Sequence, residues 1–260
     1  RGPSPTGVAA ELSSADPVAR GAYVMAMADC QACHTAPGGK PFAGGRAFNL
    51  PFGTIYTPNL TPDPETGIGK WTDAQFLNAV HRGVAPDGSH YYPAFPYPTY
   101  TRLTDEDVLA IKAHLFTLAP VKQANKPNTF KFPYNQRWLM AIWSALFNPD
   151  ERFRPVPEQS AQWNRGAYLV EAAGHCGECH TPRDPLGGPD RAKALSGAPM
   201  PDGKGKAPNI TPAGLAKWSE DDIALALSTG ITPEGDSLGG AMAEVVRNLG
   251  HAPKSHVAAI

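Results

Sequence analysis

The sequence predicts a mainly α-helical, loop-rich chain built from two tandem copies of one unit. Three observations predict it. A short cysteine motif occurs twice, as Cys30-Gln31-Ala32-Cys33-His34 and Cys176-Gly177-Glu178-Cys179-His180. Other landmarks return in the same order: Arg20-Gly21-Ala22-Tyr23 as Arg165-Gly166-Ala167-Tyr168, Thr57-Pro58-Asn59-Leu60-Thr61-Pro62 as Ala207-Pro208-Asn209-Ile210-Thr211-Pro212, and Lys70-Trp71-Thr72 as Lys217-Trp218-Ser219. Recurrence in the same order at a nearly constant separation is the mark of a duplicated unit. Finally, 26 Gly and 28 Pro imply long irregular connections, while the regularly placed Trp and Tyr residues argue against disorder.

Cys-x-x-Cys-His is the spacing of c-type haem attachment. Two thiols three positions apart on a turn can each form a thioether with one vinyl group of the same porphyrin. The histidine that follows is then held against the iron as its proximal ligand. The two motifs use all four cysteines of the chain. Cys30, Cys33, Cys176 and Cys179 are therefore read as the attachment points of two haem c groups, with His34 and His180 as proximal ligands. A bare Cys-x-x-Cys also suits a redox dithiol, a disulfide or a zinc half-site, and two such pairs suit one zinc site. None of these needs a histidine directly after the second cysteine, and both copies have one.

At 260 residues, one large or two ordinary domains are expected. A formal net charge of −1 gives no reason to expect nucleic acid or a polyanionic substrate. No apolar run is long enough to span a bilayer. No signal peptide is visible and the first residue is Arg1, so the chain reads as a mature or trimmed product. Covalent haem attachment takes place outside the cytoplasm in bacteria, which points to the periplasm or the periplasmic face of the inner membrane.

Residues 1–16, small and polar with two prolines, read as a loose arm. The first unit, 17–118, opens with an apolar helix at Arg20-Gly21-Ala22-Tyr23 that leads into the first motif. Thr72 with Gln75 makes a capping box ahead of Phe76, Leu77 and Val80, and Ser219 with Asp222 makes a weaker one ahead of Ile223, Leu225 and Leu227. Gly83 and Gly230 stop these helices. Thr104 and the acidic turn after it start a helix carrying Val108, Leu109, Ile111, Leu115 and Phe116. The second unit, 164–260, is expected to finish with the same helix, and the sequence stops where that helix begins; continuation of the native protein is the favoured reading. The bridge between the units, 119–163, contains a helix over 135–147 that is apolar almost all round. It is expected to be a buried strut, or else to dock a partner subunit or the membrane surface.

With these residues in place, the chain resembles the dihaem and trihaem cytochrome c subunits of bacterial periplasmic dehydrogenases. These serve alcohol and sugar dehydrogenases and molybdenum-dependent aldehyde or N-heterocycle oxidoreductases. The likeness covers 16–260 and rests most on Thr-Pro-Asn-(Leu/Ile)-Thr-Pro, the Lys-Trp-(Thr/Ser) helix starts, Tyr92-Pro93-Ala94-Phe95-Pro96-Tyr97 and the bridge helix. It implies a class-I cytochrome c fold for each unit: a few helices wrapped around a haem, with N-terminal and C-terminal helices crossing.

The resemblance also implies a methionine sulfur on the distal side of each iron. In the second unit this is Met242, following Gly239-Gly240-Ala241; Met200 lies before the Asn209 loop, where the family does not place its ligand. The same place in the first unit holds Phe95, whose ring cannot bind iron. The distal position of the first haem then falls to His90 or Met140, with His81, His114 and Tyr91 weaker, or it stays open.

The expected function is that of a multihaem electron-transfer subunit. It would pass electrons from a partner dehydrogenase subunit to a quinone or another cytochrome, and no acid, base or nucleophile constellation stands out in the sequence. The alternative is a dihaem enzyme of the peroxidase or thiosulfate dehydrogenase type, with an open first haem and His90 or Arg82 beside it.

Overall fold

The computed structural model describes residues 15–200, 205–250 and 252–260. The expected N-terminal arm falls almost wholly on 1–14, outside the described residues. Among the described residues the fold is mostly helical.

Helix α1 (Pro17–Met27) starts where the Asp16 carboxylate accepts the Val18 N–H and a proline opens the first turn. A sharp bend leads to α2 (Cys30–His34), which carries the first motif. A hairpin of β1 (Ala47–Leu50) and β2 (Gly53–Tyr56) follows. Then come α3 (Asp73–Arg82), α4 (Tyr97–Tyr100) and α5 (Asp105–Leu115). The bridge contributes α6 (Leu139–Phe147). Helix α7 (Ala161–Tyr168) runs on into a π-helical turn, Leu169–Ala173, before α8 (Gly177–His180) carries the second motif. The short pair β3 (Ala198–Pro199) and β4 (Lys206–Ala207), then α9 (Glu220–Thr229), α10 (Met242–Leu249) and α11 (Lys254–Val257), complete the chain.

The caps are those the sequence calls for. Thr72 and Gln75 form a reciprocal box at α3, and Ser219 and Asp222 form an equally complete one at α9. Gly83 (φ 64°) and Gly230 (φ 77°) end these helices in the left-handed region that glycine adopts without penalty. Thr104 accepts the Asp107 N–H at the start of α5.

Two close helix crossings recur. A Cβ on Gly21 would lie 1.9 Å from the Ala110 carbonyl oxygen, so α1 and α5 touch backbone to backbone. A Cβ on Gly166 would lie 1.6 Å from the Ala259 carbonyl oxygen, where α7 meets the turn closing α11. Both glycines belong to the Arg-Gly-Ala-Tyr repeat.

The buried apolar cluster runs through both halves of the chain, joining Val24, Val108 and Leu115 to Tyr168, Leu169 and Leu249. Buried polar contacts across the middle follow a reciprocal pattern. Tyr168 donates its hydroxyl to Asp107, the third residue of α5, which also accepts Arg20 Nε at 2.6 Å. Tyr23 Oη lies 2.7 Å from Nδ1 of His256, the third residue of α11. Each repeat tyrosine thus reaches into the start of the other half's crossing helix.

The bridge differs from expectation in two respects. Its helix begins at Leu139 rather than 135, because residues 132–138 are spent on turns. It is also a strut on one side only. Trp143 is buried and donates Nε1–H to the Leu186 carbonyl at 2.9 Å, and the Phe147 ring lies against Gly188, where a Cβ would come within 2.0 Å of it. The opposite side of α6 faces outward.

Candidate functional site

The residue before the first cysteine of each motif has left-handed backbone: Asp29 at φ 50° and His175 at φ 43°. This bend ends the incoming helix and turns the next residues into a single helical turn. Cys30 and Cys33 lie on α2, and Cys176 caps the turn that carries Cys179.

The two motif histidines are held alike. His34 Nδ1 is 2.9 Å from the Pro58 carbonyl oxygen, and His180 Nδ1 is 2.7 Å from that of Pro208. A carbonyl only accepts, so Nδ1 carries the hydrogen in both rings and Nε2 carries the free lone pair. The repeated Pro-Asn-x-Thr sequence explains why these carbonyls are in place. Asn59 Oδ1 accepts from the Thr61 N–H and hydroxyl at 2.9 and 2.7 Å, and Asn209 does the same with Thr211 at 2.9 and 2.7 Å. The copies differ in cover. Asn59 is buried and donates to the Val121 and Gln123 carbonyls of the bridge, whereas Asn209 is exposed.

Burial pushes the Cys30 thiol up to about 12 and those of Cys33 and Cys176 to about 11; Cys179 is raised for the same reason. Among the described residues no three His, Cys, Asp or Glu side chains gather as a metal cluster. Burial also lowers the pKa of His34, opposed by its bond to Pro58, so the ring is neutral, the form that binds a metal. Two thiols on one turn beside an imidazole with its Nε2 uncommitted fit haem c attachment in both copies.

The motifs are neighbours, which their distance in sequence does not disclose. Asp29 Oδ2 lies 3.8 Å from His175 Nε2, and the Asn248 amide donates to Asp29. The Tyr100 ring stands edge-on to His175 at 5.7 Å and donates its hydroxyl to the Ala28 carbonyl at 2.6 Å. Thr99 donates to Glu178 inside the second motif. The one available signal was positional: Asp29 and His175 hold the same place in their repeats.

Met242, at the start of α10, lines a largely apolar cavity of about 40 Å³ together with Cys176, Leu169 and Leu227. Met200 lies elsewhere, at the β3–β4 turn, with its N–H on the Gly205 carbonyl. In the first half, Phe95 sits among tyrosines, 5.9 Å from the Tyr91 ring and 5.8 Å from Tyr100. His90 pairs with Val84 through an isolated bridge, as Ser237 does with Ile231. Its carbonyl accepts Arg137 Nε at 2.8 Å, and its Nδ1 is buried without a hydrogen-bond partner. Met140 is half-buried on α6. His81 is a core residue: burial, aided by the nearby Arg152 charge, lowers its pKa to about 4, against a weaker pull from Asp105 at 3.7 Å. His114 is half-buried on α5, and Tyr91 lies under the Arg137 guanidinium at 5.7 Å.

Comparison with known proteins identifies the family. The cytochrome c family model matches residues 18–119. One of the subunits of nicotinate dehydrogenase from Pseudomonas putida is 45% identical over 249 residues, 95% of this chain but 21% of that protein. A diheme cytochrome c-type protein of Cereibacter sphaeroides is 44% identical over 239 residues, 90% of this chain and 80% of that protein. The cytochrome c subunit of a quinone-dependent alcohol dehydrogenase from Gluconacetobacter polyoxogenes is 42% identical over 241 residues, 88% of this chain and 51% of that protein. The chain thus spans from a fifth to four fifths of these relatives. Its cofactor is haem c, and the chain belongs to the cytochrome c family.

Proposed function

We propose that the chain carries single electrons from a catalytic dehydrogenase subunit to a quinone or another cytochrome, in the periplasm or at the periplasmic face of the inner membrane. It does so as two tandem cytochrome c domains, 17–118 and 164–260, joined by the bridge 119–163, each with one haem c. The observation that carries this reading is the duplicated histidine geometry, His34 on Pro58 and His180 on Pro208 at 2.9 and 2.7 Å. The paired crossings at Gly21 and Gly166 support the two domains. The names of the relatives, as subunits of nicotinate and alcohol dehydrogenases, support a dehydrogenase as electron source and favour the carrier over a self-contained dihaem enzyme.

Bound haem supplies the reversible one-electron iron couple. The chain's part is to attach, orient and tune it. Cys30 with Cys33, and Cys176 with Cys179, would form the thioethers. His34 and His180 would offer Nε2 to the iron, while the Nδ1–H bonds to Pro58 and Pro208 fix the rings and make the imidazoles better donors. Met242 would supply the distal sulfur at the second site, a donor that raises the potential of a bound haem.

Phe95 removes that option from the first haem and leaves His90 or Met140. His90 is the better supported, because its buried Nδ1 makes no hydrogen bond and Arg137 holds its backbone. With His34 and His90 as its two donors, the first haem would have a lower potential than the second. His90→Ala is expected to turn it high-spin and able to bind carbon monoxide, with Met140→Ala leaving the spectrum unchanged. The opposite pattern transfers the role to Met140. A native protein that already binds carbon monoxide at the first haem contradicts a protein ligand altogether.

A further inference from the structure

We propose that the bridge docks the chain onto the surface of an anionic phospholipid bilayer, through the outward face of α6 and the turn before it. Trp138, Ile142 and Leu146 are 63%, 53% and 64% exposed and recur every four residues along one side of the helix. Phe132 and Tyr134, 78% and 50% exposed, lie in the turn that precedes the helix. Single exposed apolar residues are ordinary, but three large ones on one helix face with two more in the turn before it are not. Nor are they a core left uncovered by a loose helix, because Trp143 and Phe147 fasten its other side to Leu186 and Gly188.

Charge decides the kind of surface. From residue 120 to 149 the sequence contains Lys122, Lys126, Lys131 and Arg137 and no Asp or Glu, in a chain whose net charge is −1. Lys122 is paired with Glu65 at 2.6 Å, but Lys126, Lys131 and Arg137 are exposed and form no ion pair among the described residues. Asp87 is the acidic group nearest in influence to Arg137, and Asp150, beyond the stripe, is engaged by Arg82 and Arg152. Aromatic residues beside lysine and arginine, over a stripe of aliphatic side chains, match the headgroup boundary of a membrane. Protein-docking surfaces are depleted in lysine. The helix is too short to span, and no described helix is long and apolar enough to cross a bilayer, so the segment lies on the surface.

The inference rests on the membrane-face location proposed above, and its test separates the two. The haem-loaded chain is sedimented with sucrose-loaded vesicles of phosphatidylcholine alone or mixed with phosphatidylglycerol, and haem content is read on the same samples. Binding is expected only to the mixed vesicles and to weaken with salt. Lys126→Gln and Lys131→Gln should each reduce partitioning about fivefold. Trp138→Ala should reduce it by about tenfold or more. All three positions are exposed, so the haem spectrum and melting temperature should stay native. Absence of binding to mixed vesicles, or binding that ignores all three substitutions, overturns the proposal. So does protection of Trp138 from oxidation by a solubilised dehydrogenase subunit but not by vesicles, which assigns the face to a protein. In each of those cases an unchanged haem content leaves the electron-carrier reading standing.

Discussion

Gly21→Ala and Gly166→Ala are each expected to lower stability by more than about 3 kcal/mol, although alanine is the better helix former. Both glycines lie inside helices with ordinary backbone, where the exchange alone would stabilise by about 0.5–1 kcal/mol. The crossings reverse that sign. The added methyl would lie 1.9 Å from the Ala110 carbonyl oxygen in one case and 1.6 Å from that of Ala259 in the other. Backbone carbonyls in packed turns cannot step aside as a side chain can, so the helices must separate and the shared core opens. Urea unfolding followed by far-ultraviolet circular dichroism measures this. A neutral or stabilising Gly166→Ala would show that α11 does not close the second half as α5 closes the first.

Asp107→Ala is expected to cost about 3–5 kcal/mol, the range for removing one partner of a buried ion pair. Asp107 is 1% exposed and accepts from both Arg20 Nε and the Tyr168 hydroxyl, so its loss removes the buried carboxylate that joins them where the two halves meet and leaves Arg20 the more distant Glu106 at 3.7 Å. The mirror position makes a second expectation of opposite sign. Arg165 repeats Arg20 and is 2% exposed, yet none of its three side-chain nitrogens has a hydrogen-bond partner. Burial lowers its pKa accordingly. The third residue of α11 is His256 where α5 has Asp107. His256→Asp should therefore stabilise by about 1–3 kcal/mol, provided the repeat equivalence brings that carboxylate to Arg165 as Asp107 is brought to Arg20. Destabilisation by His256→Asp would refute the equivalence of the two helices.

What could be read from the sequence was local. The haem motifs, the helix caps at Thr72, Thr104 and Ser219, and the glycine stops depend on residues within a few positions of one another. The chemistry of those side chains fixes the local outcome. The bond from each motif histidine to a backbone carbonyl was legible in kind, but its acceptor, a proline 24 or 28 residues on, was not. The exchange of Tyr23 and Tyr168 between halves depends on packing that no periodicity encodes. The outward side of α6 was hidden for the same reason, since its apolar pattern runs almost all round and only Leu186 and Gly188 decide which side turns in. The hairpins and the π-helical turn at Leu169–Ala173 are short and carry no strong propensity, so tertiary contacts set them.

The most direct test of the account is the intact mass of the denatured protein, produced with the machinery for covalent haem attachment. It should exceed the polypeptide mass by two haem groups that survive acid extraction. Replacing both Cys176 and Cys179 with serine should leave one, and replacing Cys30 and Cys33 as well should leave none. A native mass carrying a single haem or none, or haem that acid extraction removes, contradicts the account.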